Sequence, residues 1–112
     1  MNLEHKSEGA AVVVIPHESR LDAHIAGEFK DALRGLVNEG HDRIALHLED
    51  VEFVDSSGLS AIVSTMKSLA GKGEIVISGA RPSVMNLLKL TRLDKVFRTY
   101  TGQQEALAAL AG

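Results

Sequence analysis

Val51-Glu52-Phe53-Val54-Asp55-Ser56-Ser57-Gly58-Leu59 reads as the exit of a strand that becomes the start of a helix. Just before it, Ile44–Leu48 is a short, bounded apolar segment with weak alternation, which predicts a strand. Just after it, Leu59, Ile62, Val63, Met66 and Leu69 trace one helical stripe, which Gly71 and Gly73 end. The same alternation continues outward. Downstream, Glu74–Ser78 predicts a strand, Gly79 a turn, and Pro82 the first residue of a helix burying Val84, Leu87 and Leu88. Val96–Tyr100 predicts a last short strand, and Thr101 or Gly102 caps a terminal helix carrying Ala106, Leu107 and Leu110. Upstream, Asn2–Lys6 reads as an edge strand and Ser7–Gly9 as a turn. Ala10–Ile15 is a β-branched run suited to a strand covered on both faces. Pro16 to Arg20 reads as a loop, because proline lacks the donor a central strand needs. Asp22 is placed to cap a helix on which Ile25, Phe29, Leu33, Leu36 and Val37 face inward, and Gly40 stops it.

Strands alternating with helices imply an α/β fold, a single domain over residues 1–112 with a mainly parallel sheet of about five strands and about four helices. Crossovers in such units are right-handed, and sites lie at the carboxyl ends of the strands. Those ends are Pro16–Asp22, Val51–Ser57 and Ser78–Pro82. The 112 residues are 45% hydrophobic and 24% charged, an ordinary globular balance. A formal charge of −3 argues against bulk binding to nucleic acid, which needs a basic field. The longest apolar run falls far short of the ~20 residues of a membrane span. Met1–Lys6 carries no secretory pattern, so a cytoplasmic location with no direct membrane insertion is expected. The absence of cysteine excludes disulfides and thiolate metal sites.

Two hydroxyls and a carboxylate at a strand-to-helix junction have two readings. Asp55 or a serine can simply accept hydrogen bonds from the first free N–H groups of the helix. Alternatively, Ser56 is a phosphorylation switch. A helix N-terminus favours an added phosphate, which brings roughly −1.5 to −2 charges to a spot already holding Asp55. That charge at an interface forbids a partner without unfolding the domain.

The segment Asp55-Ser56-Ser57-Gly58-Leu59 resembles the phosphorylation signature of the STAS-domain family, in particular of the bacterial anti-sigma factor antagonists. The similarity continues through Gly71-Gly73, Ile75-Val76-Ile77, the Pro82–Leu90 helix and Leu93-Asp94-Lys95-Val96-Phe97. Leu21-Asp22 matches the end of the family's Gly-Glu-Leu-Asp element. The resemblance implies a STAS-like fold and a monomer acting by protein contact, without a cofactor. Unphosphorylated, it would bind an anti-sigma factor with serine kinase activity. Phosphorylation of Ser56 would release that partner, and a metal-dependent serine phosphatase would reverse the step. It also implies a contact face of Asp22, Asp55, Ser56, Ser57, Gly58 and Leu59. In it, Gly58 leaves room for a partner backbone and Leu59 belongs to an exposed apolar patch. Ser19-Arg20 stands where the family has Gly-Glu, which reverses a charge beside that face; Arg20 is also suited to pairing with a phosphate on Ser56.

Rival readings are weaker. His17 and His24 could approach Ser56 as bases, but the segment lacks the Gly-x-Ser-x-Gly elbow of serine hydrolases, so no enzyme is expected. The five histidines form no metal-ligand pattern. No phosphate-binding Gly-Lys loop is present. A different class remains open: an accessory subunit of a membrane lipid transporter, or a signalling scaffold, with Ser56 merely a cap.

Overall fold

Alternation along the inner strands decides which side each helix covers. Val12, Val14, Ile44, Leu46, Ile75 and Ile77 share one core with Phe29, Leu33, Leu36, Leu59, Ile62, Val84 and Leu88. Ala11, Val13, Ile15, Ala45 and Val76 point the other way and meet Ala106 and Leu110, with Leu107 and Tyr100 at the margin, in a second, thinner core. Three helices therefore cover one face of the sheet and a single helix covers the other.

The computed structural model describes residues 1–111. Its elements are β1 (Leu3–Glu8), β2 (Ala11–Pro16), β3 (Arg20–Leu21), α1 (Ala26–Asn38), β4 (Arg43–His47) and β5 (Phe53–Val54). They continue with α2 (Ser56–Ser68), β6 (Glu74–Ser78), α3 (Pro82–Leu90), a 3-10 turn (Leu93–Lys95), β7 (Thr99–Tyr100) and α4 (Gln103–Ala111). The five-stranded sheet has the order β1-β2-β4-β6-β7. β1 and β2 form an antiparallel hairpin, and every other pairing in it is parallel. This is the expected α/β fold, four helices on a mostly parallel sheet. Beside it, β3 and β5 make a two-residue parallel ribbon, with Arg20 opposite Phe53 and Leu21 opposite Val54.

Four local expectations need correction. Pro16 ends β2 instead of opening a loop; as its last residue, opposite Leu3, it costs the ladder little. Asp22 does not cap α1. Its carbonyl accepts from the Ile25 and Ala26 amides, and its Oδ1 accepts from the His24 amide at 3.1 Å, so it closes a turn just ahead of the helix. The strand expected at Val96–Tyr100 shrinks to Thr99–Tyr100, because the amides of Val96 and Phe97 both donate to the Leu93 carbonyl. Phe97 is instead a core side chain, 2% exposed. Finally, α2 stops at Ser68, ahead of the glycines, through a left-handed Ala70 at φ 52°.

Candidate functional site

The β3–β5 ribbon carries two carboxyl-end segments, Pro16–Asp22 and Val51–Ser57, to one place. Its strands hold them together through the Asp55 amide, which donates to the Leu21 carbonyl at 3.2 Å. The Asp55 side chain then ties three backbone amides. Oδ1 accepts from Ser57 at 2.9 Å and Gly58 at 3.1 Å, and Oδ2 accepts from Ala23 at 3.1 Å. Asp55 is thus both the N-cap of α2 and a clamp on the turn after β3.

With the cap supplied by Asp55, Ser56 is free of that duty. It is the first residue of α2, it is exposed, and among the described residues none hydrogen-bonds its hydroxyl. Ser57 beside it is half-buried. The positive end of the α2 dipole lies under both. The competing readings of the junction are therefore divided between two residues, Asp55 as cap and Ser56 as an available hydroxyl.

Gly58 does not leave room for a partner backbone, and Leu59 does not form part of an exposed patch. Leu59 is 8% exposed and packs with Ile62 in the larger core. Its stripe turns inward as soon as α2 begins. The space that Gly58 leaves is filled from within the chain. A Cβ there would stand 2.3 Å from the Leu21 carbonyl oxygen and 2.9 Å from Val54 Cγ1. Gly58 lets α2 press on the ribbon, which leaves Ser56, Ser57 and the turn after β3 as the surface at this corner.

That turn builds the rest of the site. Arg20, Asp22, Ala23, His24, Phe53 and Asp55 line an open hollow of about 370 Å³ next to Ser56. Arg20 Nε donates to Asp22 Oδ2 at 3.2 Å, and the guanidinium lies over the Phe53 ring, 4.2 Å from its centroid. Burial works to raise the Asp22 pKa. The hydrogen bonds from Arg20 and the His24 amide together outweigh it, so the carboxyl titrates below its ordinary 3.8. Phe53 went unnoticed as a site residue in the sequence; the available signal was a lone aromatic between Glu52 and the cap, on a segment too short to bury it.

The remaining candidates lie elsewhere. His17 is held between Glu4 (Nε2–Oε1, 2.8 Å) and Asp50 (Nδ1–Oδ2, 2.7 Å), with both ring nitrogens engaged away from Ser56. The third carboxyl-end segment does not join the site. Gly79 and Ala80 line a separate hollow of about 450 Å³ with Glu49, Thr99, Tyr100 and Glu105. Arg81 Nε donates to the Glu49 carbonyl and Ser83 Oγ to the Glu52 carbonyl, so the start of α3 braces the strand exit from behind. No helix of the described residues is long and apolar enough to cross a membrane.

The sequence profile of the STAS domain matches residues 4–106. An anti-sigma F factor antagonist of Paenibacillus polymyxa is 31% identical over 98% of this chain and 97% of its own. Among solved structures, an anti-sigma-factor antagonist (STAS) domain protein from Planctomyces limnophilus superposes with a TM-score of 0.82 at 27% identity, over 98% of both chains. An anti-sigma factor antagonist from Mycobacterium paratuberculosis reaches 0.91 at 23% identity, over 99% of this chain and 94% of that one, a likeness of fold. By profile, sequence and fold together, the chain belongs to the STAS domain family.

Proposed function

We propose that this protein is an anti-sigma factor antagonist whose binding is switched at Ser56. Unphosphorylated, it docks the Ser56 face on an anti-sigma factor that is also a serine kinase. In that complex the Ser56 Oγ attacks the γ-phosphorus of ATP held by the kinase. ADP leaves, and the hydroxyl proton passes to a base on the kinase. A metal-dependent serine phosphatase then hydrolyses the ester with water, returning the hydroxyl and inorganic phosphate.

The observation that carries this reading is the exposed Ser56 hydroxyl, unengaged at a helix start that Asp55 already caps. The amides of Ser57 and Gly58 are occupied by the Asp55 carboxylate, so a phosphate on Ser56 finds no ready intrahelical cradle. It stays at the surface beside a second negative charge, and its effect falls on whatever docks there. A loss of about 3 kcal/mol would already weaken a complex more than a hundredfold. The kinship with chains named anti-sigma factor antagonists supports the identity of the partner.

The test is affinity capture from the host with the unphosphorylated protein, followed by binding measurements on the purified partner. An anti-sigma factor should be captured, and the kinase should phosphorylate Ser56 alone. The phosphorylated protein should then bind at least about a hundredfold more weakly. Ser56→Ala should hold the partner permanently, and Ser56→Asp should weaken binding partly. Equal binding by the parent, Ser56→Ala and Ser56→Asp proteins would refute the switch, and capture of a transporter ATPase would point to the accessory-subunit reading.

A further inference from the structure

Phe53 stands 41% exposed at the ribbon edge, large and apolar in a chain with few aromatic side chains. Across the ribbon, the Arg20 side chain is 60% exposed and stacks on it. The guanidinium is held twice, by the ring face and by its Nε bond to Asp22. Among the described residues no acceptor takes its Nη groups. Stacking and the Nε bond restrict the side chain in advance, so an outward fork of N–H donors costs less to immobilise on binding.

The carboxylates of Asp22 and Asp55, which share the hollow, are engaged within the chain. Asp22 accepts from the His24 amide and Arg20, and Asp55 accepts from three amides. What this corner offers outward is a cationic fork above an apolar plate. A planar carboxylate matches the fork two bonds to two. A phosphate dianion fits it less well, because Asp22 and Asp55 lie close by and repel a second negative charge more strongly.

Resting on the docking face proposed above, we infer that the Arg20–Phe53 corner selects the partner. Its occupant is a partner protein that sets an Asp or Glu side chain on the Arg20 Nη groups and an apolar side chain against Phe53. Arg20 sets electrostatic selection and Phe53 supplies contact area, whereas Ser56 turns the contact on and off.

The experiment measures the affinity of the captured anti-sigma factor for the full unphosphorylated chain and for Arg20→Glu, Arg20→Lys and Phe53→Ser, at low and high salt. Arg20→Glu should weaken binding at least about tenfold and flatten the salt dependence, Arg20→Lys should weaken it less and keep the salt dependence, and Phe53→Ser should weaken it with the salt dependence kept. In the Arg20→Lys complex, a zero-length carbodiimide should couple the new amine to an Asp or Glu of the partner, located by mass spectrometry. Parent-like binding by Arg20→Glu would overturn the inference. So would an intact Arg20→Lys complex that couples to no partner carboxylate. If Ser56→Asp binds like the parent while Arg20→Glu does not, the switch fails and the corner stands; the reverse result removes the corner and leaves the switch.

Discussion

Gly58 carries one hydrogen where any other residue carries a carbon, and the Leu21 carbonyl occupies the difference. Since the obstructing atom is backbone, Gly58→Ala must push α2 off the ribbon. The expected cost is about 1–3 kcal/mol, read from the urea unfolding midpoint. Asp55→Ala removes the acceptor of three amides and should cost about 0.5–2 kcal/mol in the same assay, whereas Ser56→Ala should leave stability unchanged. His17 belongs to a different balance. Its hydrogen bond to Glu4, then that to Asp50, raises its pKa above the ordinary 6.5, because holding both carboxylates takes a proton on each ring nitrogen. The stability gained is complete below pH 6.5 and is lost as pH rises through the raised value. The melting temperature should therefore fall over that interval, and His17→Gln should remove this component.

At the scale of elements, most of the helices and long strands were legible because each has a period that neighbours in the chain enforce. Pro82 does open α3, and Glu74–Ser78 is a strand as expected. What was illegible was short. A two-residue strand such as Phe53–Val54 has no period of its own and exists only because Arg20–Leu21 lies alongside. The end of α2 is another case. Glycines at 71 and 73 looked like the stop, and Gly71 does take a left-handed conformation at φ 76°, but the turn begins one residue earlier, at Ala70 with φ 52°. A Cβ is strained there, so Ala70→Gly should stabilise the protein by about 0.5–1 kcal/mol in thermal or urea unfolding.

For the molecule as a whole, the two cores differ in what covers them. The larger has α1, α2 and α3 above it; the smaller depends mainly on α4, through Ala106, Leu107 and Leu110. The small residues Ala45 and Ala106 let that helix lie close to the sheet. Arg43 Nη1 also donates to the Leu110 carbonyl at 2.8 Å, fastening the end of α4 to the start of β4. Leu110→Ala should cost about 2–5 kcal/mol, seen as a lowered unfolding midpoint. The Ser56 face lies on the well-covered side, so its binding at low temperature should survive that change.

Local chemistry was enough for the alternation of strand and helix, for the parallel sheet that follows from it, and for a carboxylate and hydroxyls at the start of α2. Each of these is written in residues a few positions apart. The division of labour between Asp55 and Ser56, the inward turn of Leu59, the fit of Gly58 under Leu21 and the stacking of Arg20 on Phe53 came from folding. They join residues distant along the chain, and which of two adjacent side chains faces solvent depends on what the rest of the molecule packs against it.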